Sequence, residues 1–165
     1  LVINEAERES ILGMYSDQRV VLVKGGSTRQ ESVYHGLQAV QEDKVLIHDG
    51  ARPWLSKECL DRIVAGVEQY PACLLGVALK DTIKQVDEQG FVVMTHQRDI
   101  LRQAQTPQAF DTRLILDCYK KAAEKGIVAS DDAQLVELCT DVAVRMIEGS
   151  YENRKVTTRE DLDGK

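Results

Sequence analysis

The chain has 165 residues, 43% apolar and 29% charged, with a mean hydropathy of -0.29. Such a composition describes one globular domain, and with aromatics at 5% its core must rest on Val, Leu, Ile and Ala. A net charge of -6 disfavours bulk nucleic-acid binding, and no apolar run reaches the roughly 18–20 residues of a membrane-spanning helix.

In chain order, LVIN reads as the end of a strand. Because Leu1 is not Met, a further N-terminal portion is expected ahead of it. LVINEAERE lacks the basic start and cleavage site of a secretory signal. Four short runs rich in β-branched residues then read as strands buried on both faces: VVLV (20–23), KVLIHD (44–49), CLLGVAL (73–79) and VAVRMI (142–147). Helices are expected between them. Val33, Leu37 and Val40 mark one over 28–41, which opens on a capping box of Ser27 with Gln30 or of Thr28 with Glu31. Leu60, Ile63, Val64 and Val67 mark a second over 56–69. Asp111 is placed to cap a third that stops at Gly126, and Ser130 or Asp131 a shorter fourth through Leu135 and Leu138. This alternation predicts an α/β fold.

The rhythm breaks over residues 80–96, KDTIKQVDEQGFVVMTH, which reads as an antiparallel hairpin around Gly90. A lone hairpin is marginal in water, so this arm needs cover, from a second subunit or from its own domain. The four cysteines, Cys59, Cys73, Cys118 and Cys139, form no CxxC pair and have no metal-ligand spacing to a histidine. They read as buried free thiols of a cytoplasmic protein.

Ligands of parallel α/β sheets bind beyond the carboxyl ends of the strands, so the strand ends are where chemistry is sought. After VVLV come Lys24-Gly25-Gly26-Ser27-Thr28-Arg29, a GG turn opening onto a helix whose free N–H groups suit an anion. After KVLIHD come Gly50, Ala51, Arg52 and Pro53. There Asp49 suits sugar hydroxyls or a divalent cation and Arg52 a phosphate, or the two pair with each other to tie the turn. His48 reads as structural. Arg98 and Arg102 lie in a polar stretch, and Lys155 follows the last strand, ahead of a helix start expected at TTRED. Together these cations point to a phosphorylated substrate in an otherwise acidic protein.

In this order, GGSTRQESV (25–33), HDGARP (48–53), KDTIK (80–84), QTPQAF (105–110), DDAQLVE (131–137) and EGSYENRKVTT (148–158) resemble the 2-C-methyl-D-erythritol 4-phosphate cytidylyltransferases of the non-mevalonate isoprenoid pathway. The resemblance covers essentially the whole chain and rests on six motifs in register. It implies a Rossmann-like, mostly parallel sheet with helices on both faces and a protruding β-hairpin dimerisation arm at about 80–98. It implies one nucleotidyltransferase domain over 1–165, whose Gly-rich CTP loop belongs before residue 1.

For the site, the resemblance implies that Gly26, Ser27 and Ser32, with Gly50 beside them, meet the cytosine and ribose of CTP. Ser27 stands where many relatives have Asp. Arg29 would support that loop. Lys155 would meet the α-phosphate and position the attacking phosphate. Asp49, Arg52, Thr82, Arg98 and Thr106 would hold the sugar phosphate, with Thr82 and Arg98 entering the neighbouring subunit's site of a homodimer. The implied reaction is attack by the 4-phosphate of methylerythritol phosphate on the α-phosphorus of CTP, with Mg²⁺ as cofactor and pyrophosphate as leaving group. No covalent nucleophile is required, and the sequence offers no Ser/His/Asp or Cys/His arrangement for one. Two alternatives stay open: a ribitol 5-phosphate cytidylyltransferase, and a non-catalytic oligomerisation module.

Overall fold

The central sheet of the computed structural model, which describes residues 1–15 and 17–162, has four strands in the order β3-β7-β4-β8. These are β3 (Lys44–Ile47), β4 (Ala72–Ala78), β7 (Arg102–Asp111) and β8 (Arg145–Glu148). A separate parallel pair joins β1 (Val2–Ile3) to β2 (Val23–Lys24), and β5 (Lys84–Val86) forms a two-stranded antiparallel sheet with β6 (Val92–Thr95). The helices are α1 (Arg8–Met14), α2 (Arg29–Gln38), α3 (Lys57–Gln69), α4 (Thr112–Lys125) and α5 (Asp132–Cys139).

Alternation along the strands sorts the core into two layers. Ala72, Leu74 and Phe110 face α4 and α5, where Ile115, Cys118, Leu135 and Val136 are buried. Cys73, Leu75 and Ala109 face α3, against Cys59, Ile63 and Val67. Helices thus cover both faces, as expected. Cys59, Cys73 and Cys118 are buried and Cys139 half-buried, all as free thiols. Burial pushes the Cys73 and Cys118 thiols up to about 11, so they act as small apolar groups.

The expectation of a mostly parallel sheet is corrected. Strand β4 is parallel to β8, but β7 runs antiparallel to both β3 and β4. The cause is the hairpin of β5 and β6. It sends the chain out and back, so β7 returns beside β4 without a crossover helix. Strand β7 escapes a pattern reading because it carries Pro107 and three buried polar residues, Gln105, Thr106 and Gln108. Proline has no N–H for the ladder, and the β4–β7 register shifts between Leu74 and Gly76, opposite this stretch. The buried amides are paired. Gln105 donates to Ser150 O at 2.8 Å, and Gln108 bridges Asp131 and the Ala133 N–H, both at 2.9 Å.

Several local expectations shift. The strand expected at VVLV is confined to Val23–Lys24, and the last begins at Arg145, its preceding Val142 and Val144 packing on the core as irregular chain. On α3 the buried face is Cys59, Ile63, Gly66 and Val67, whereas Leu60 and Val64 are exposed. The small residues at 59 and 66 let the helix approach the sheet closely. A Cβ on Gly66 would lie 3.1 Å from Ile147 and 3.2 Å from Cys73 Sγ. Asp111 stands at the N-cap position of α4 without capping, because its carboxylate takes Lys44 Nζ at 2.5 Å. Gly126 ends α4 in the left-handed region at φ 64°, where a side chain would be strained. Asp131 caps α5 through the Gln134 N–H. At TTRED the described chain forms a single 3₁₀ turn, Glu160–Leu162. Backbone N–H groups of Thr157 and Thr158 hold the Asp161 carboxyl down at about 2.

Candidate active site

The GG turn leads from β2 into α2. Thr28 is the cap, its Oγ1 accepting the Glu31 N–H at 3.0 Å. Glu31 reaches one residue further back than a capping box requires, accepting the Ser27 N–H at 2.7 Å and hydroxyl at 2.5 Å. Glu31 folds so closely over Gly26 that a Cβ there would collide with it. Ser32 Oγ accepts the Gly26 N–H at 3.0 Å and donates to Thr28 O at 2.8 Å. The N–H groups of Gly26, Ser27 and Glu31 are therefore occupied, and the Glu31 carboxylate lies among them, which weakens this turn as an anion cradle.

The second strand end is more strongly charged. Chain leaving β3 turns at Asp49, whose carbonyl accepts the Arg52 N–H at 3.0 Å. His48 spans this turn. Its Nε2 lies 3.0 Å from Arg52 O, which can only accept, so Nε2 carries the proton and Nδ1 accepts from Thr106 Oγ1 at 3.0 Å. Thr106 Oγ1 in turn accepts the Asp49 N–H at 3.0 Å. The histidine is held as a structural brace.

Asp49 does not pair with Arg52. Its carboxylate takes Lys155 Nζ at 2.8 Å and, more loosely, Arg29 Nη2 at 3.4 Å. Burial alone would raise the Asp49 carboxyl, but the Lys155 bond and the charges of Arg29 and Lys155 outweigh it and hold the group below its ordinary value. Arg29 is anchored from behind by Asp132, at 2.8 and 3.1 Å. Asp132 is fully buried, and Tyr119, stacked on Tyr34, donates to it at 2.5 Å. Burial and the Asp132 charge push the Tyr119 hydroxyl up. Burial works against the Arg29 charge, but Asp132 more than restores it.

Arg52 donates from Nη1 to Asn153 O at 2.7 Å, which leaves its Nε buried without a partner. Burial lowers its guanidinium from the usual value. A cavity of about 1340 Å³ between β2 and β3 is lined by Gly26, Ser27, Arg29, Ser32, Asp49 and Gly50, among others. One wall thus joins the residues of two sequence-distant motifs. Thr82 and Arg98 lie elsewhere. Thr82 is exposed at the root of the hairpin, and Arg98 donates to Lys80 O at 2.6 Å. Among the described residues, neither makes a hydrogen bond or ion pair with Asp49, Arg52, Thr106 or Lys155. Sequence reasoning misses Asp132 and Asn153 as site supports. The doubled acid of DDAQLVE is the available signal, since one Asp suffices for the cap.

A chain with this αβα layering, its cations gathered at strand ends beside a large open cavity, has the architecture of the α/β nucleotidyltransferases. It belongs to the 2-C-methyl-D-erythritol 4-phosphate cytidylyltransferase family, whose sequence model matches residues 1–164. It is 46% identical over 145 residues to the 2-C-methyl-D-erythritol 4-phosphate cytidylyltransferase of Nostoc punctiforme, covering 87% of this chain and 63% of that one. With the enzyme of Bacillus velezensis it shares 44% over 167 residues, 98% of this chain and 72% of the relative. The chain thus spans about two thirds of the length of these relatives. Among solved structures, the 4-diphosphocytidyl-2C-methyl-D-erythritol synthase of Anaerococcus prevotii superposes with a TM-score of 0.92 at 36% identity, over 99% of this chain and 74% of that one. The cytidylyltransferase of Thermus thermophilus gives 0.83 at 30% identity, over 98% and 77%.

Proposed function

We propose that the protein transfers the cytidylyl group of CTP to 2-C-methyl-D-erythritol 4-phosphate, releasing pyrophosphate. The observation that carries this reading is the meeting of Lys155 and Arg29 on Asp49, each within 3.4 Å of its carboxylate, beside a cavity lined by Gly26, Ser27, Ser32 and Gly50. An oxygen of the acceptor phosphate attacks the α-phosphorus, the α–β P–O bond breaks, and pyrophosphate takes up the electrons. The acceptor is already ionised at neutral pH, so the work of the protein is to align and neutralise crowded negative charge. Lys155 is the cation assigned to the α-phosphate and the attacking phosphate. Its ion pair with Asp49 keeps it at the rim until an anion competes for it, which frees Asp49 for polyol hydroxyls. Arg52 and Thr106 complete the acceptor site.

Thr82 and Arg98 are assigned to the acceptor site of a neighbouring subunit. The apolar hairpin residues Phe91, Val92, Val93 and Met94, all more than half exposed in the single chain, are the surface we assign to that homodimer. As for Mg²⁺, the described residues present no group of three or more His, Cys, Asp or Glu side chains, and Asp49 is already engaged by two cations. The residues do not fit a resident ion. We therefore write Mg²⁺ as part of the substrate, carried on the CTP phosphates. The free thiols fit a reducing compartment, and we place the reaction in the cytoplasm.

The deciding experiment is pyrophosphate release by the full-length protein with Mg²⁺-CTP and each acceptor. Release is expected with methylerythritol phosphate and at background with ribitol 5-phosphate. The reverse preference would reassign the acceptor, and no release with either would leave an oligomerisation module.

A further inference from the structure

Lys155 has a long flexible side chain that is 44% exposed, so its reach is set by where its backbone is held. Three contacts hold it. The Val156 N–H donates to Ala51 O at 2.8 Å, the Arg154 guanidinium lies 4.7 Å from the centre of the Trp54 ring, and Asn153 is locked into the protein. Only the last is fully buried. Its Nδ2 donates to Thr106 O at 2.8 Å, and its own carbonyl accepts Arg52 Nη1 at 2.7 Å. Thr106 is thereby gripped on two sides, by Asn153 on its carbonyl and by the Asp49 N–H on its hydroxyl. Lys155 and Asp49, 106 residues apart in sequence, are both set relative to that one residue.

From this geometry we infer that Asn153 is a positioning residue, which seats Lys155 at the rim of the site by tying the loop after β8 to Thr106 and to the Arg52 turn. Its Oδ1 is buried without a partner, a cost that an apolar side chain of similar volume would avoid. What an apolar side chain cannot do is hold Thr106 O. Asn153 touches no reacting atom and acts only through its neighbours. The inference rests on the reaction proposed above for its catalytic consequence, but not for the seating of the loop.

Two readouts therefore test it separately. The first is amide hydrogen exchange in the full chain. Asn153→Ala is expected to speed exchange at Val156 by about 10-fold or more, because the bond to Ala51 O opens locally, while β4 amides keep their protection. The second is a double-variant cycle on pyrophosphate release. Asn153→Ala is expected to lower kcat by about 10- to 100-fold, with the KM for CTP changed much less. Added to Lys155→Ala it should cost little more, whereas added to Thr82→Ala its effect should multiply. A merely structural role would multiply in both backgrounds. If Asn153→Ala loses β4 protection, Asn153→Ser, which keeps a shorter donor, takes its place with the same expected signs. Unchanged exchange at Val156, or a full multiplicative loss on top of Lys155→Ala, overturns the inference. If the unaltered protein releases no pyrophosphate, the proposed reaction fails and the Val156 exchange alone decides the seating.

Discussion

Lys155→Ala and Arg98→Ala are each expected to lower turnover by about 10²-fold or more in the full-length protein while leaving the fold intact. Each removes a cation assigned to phosphates that crowd together as the acceptor approaches CTP, and one such contact is typically worth a few kcal/mol at the transition state. The fold should tolerate both changes. Lys155 is bonded to Asp49 at an exposed rim, and the Arg98 side chain donates to Lys80 O on an exposed turn. Exposed pairs of this kind contribute about 1 kcal/mol or less. Pyrophosphate release and the urea midpoint, measured on the same preparations, separate the two effects. Near-unaltered turnover in both variants would sink the assignment of these residues, whatever their stability.

Mixing those two inactive proteins is expected to restore activity to about one quarter of the unaltered level. Among the described residues β5 and β6 pair only with each other, and Val86, Phe91, Val92, Val93 and Met94 are exposed on this hairpin in the single chain. Such a two-stranded ribbon is marginal unless something covers it. Among the described residues Arg98, just after the arm, bonds to none of the rim residues of its own chain, and the proposed dimer assigns it to a neighbour's site. After subunit exchange about half of all dimers are mixed, by random pairing of two equal pools. In a mixed dimer, one site has its own Lys155 and receives an intact Arg98, and the other has neither. One working site of two in half the dimers gives the quarter. Exchange is followed by native mass measurement on differently labelled subunits. Full exchange with no recovered activity would mean that Arg98 serves its own chain, and the shared-site argument would fail.

Local structure is the most legible part of the sequence. The span of α3, the Thr28 cap, the left-handed stop at Gly126 and the hairpin around Gly90 all follow from short-range chemistry, and the structure keeps them, whereas α2 ends at Gln38, short of the expected 41. What stays hidden is decided by long-range packing. Strand β7 looks polar because its buried Gln105, Thr106 and Gln108 find partners in the loops after β8 and β3 and at the start of α5, contacts that no window along the chain contains. On α3, periodicity picks out Ile63 and Val67 correctly but adds Leu60 and Val64. The helix instead turns its small residues, Cys59 and Gly66, toward the sheet. At the site, residue types are readable and pairings are not. Spacing matches Asp49 to its neighbour Arg52 or to a ligand, while the fold supplies it with Lys155 and Arg29.

The reversal of β7 also bears on how the molecule forms. Ala78 lies opposite Arg102 across the β4–β7 ladder, so that pairing closes a loop consisting of little more than the arm. Joining β3 to β7 must instead bring Lys44 to Asp111, and joining β8 to β4 must bring Glu148 to Gly76. The entropy of closing these larger loops is higher, and contacts of short separation form earlier. The β4–β7 hairpin, with the arm as its turn, is therefore the natural nucleus, and the outer strands join it later. Conservative truncations at Leu74 and Phe110 should slow folding, whereas truncation at Ile47 should mainly speed unfolding. Asp49 and Lys155 sit on the loops that follow those two late strands, so on this ordering the ion pair at the rim closes after the β4–β7 hairpin.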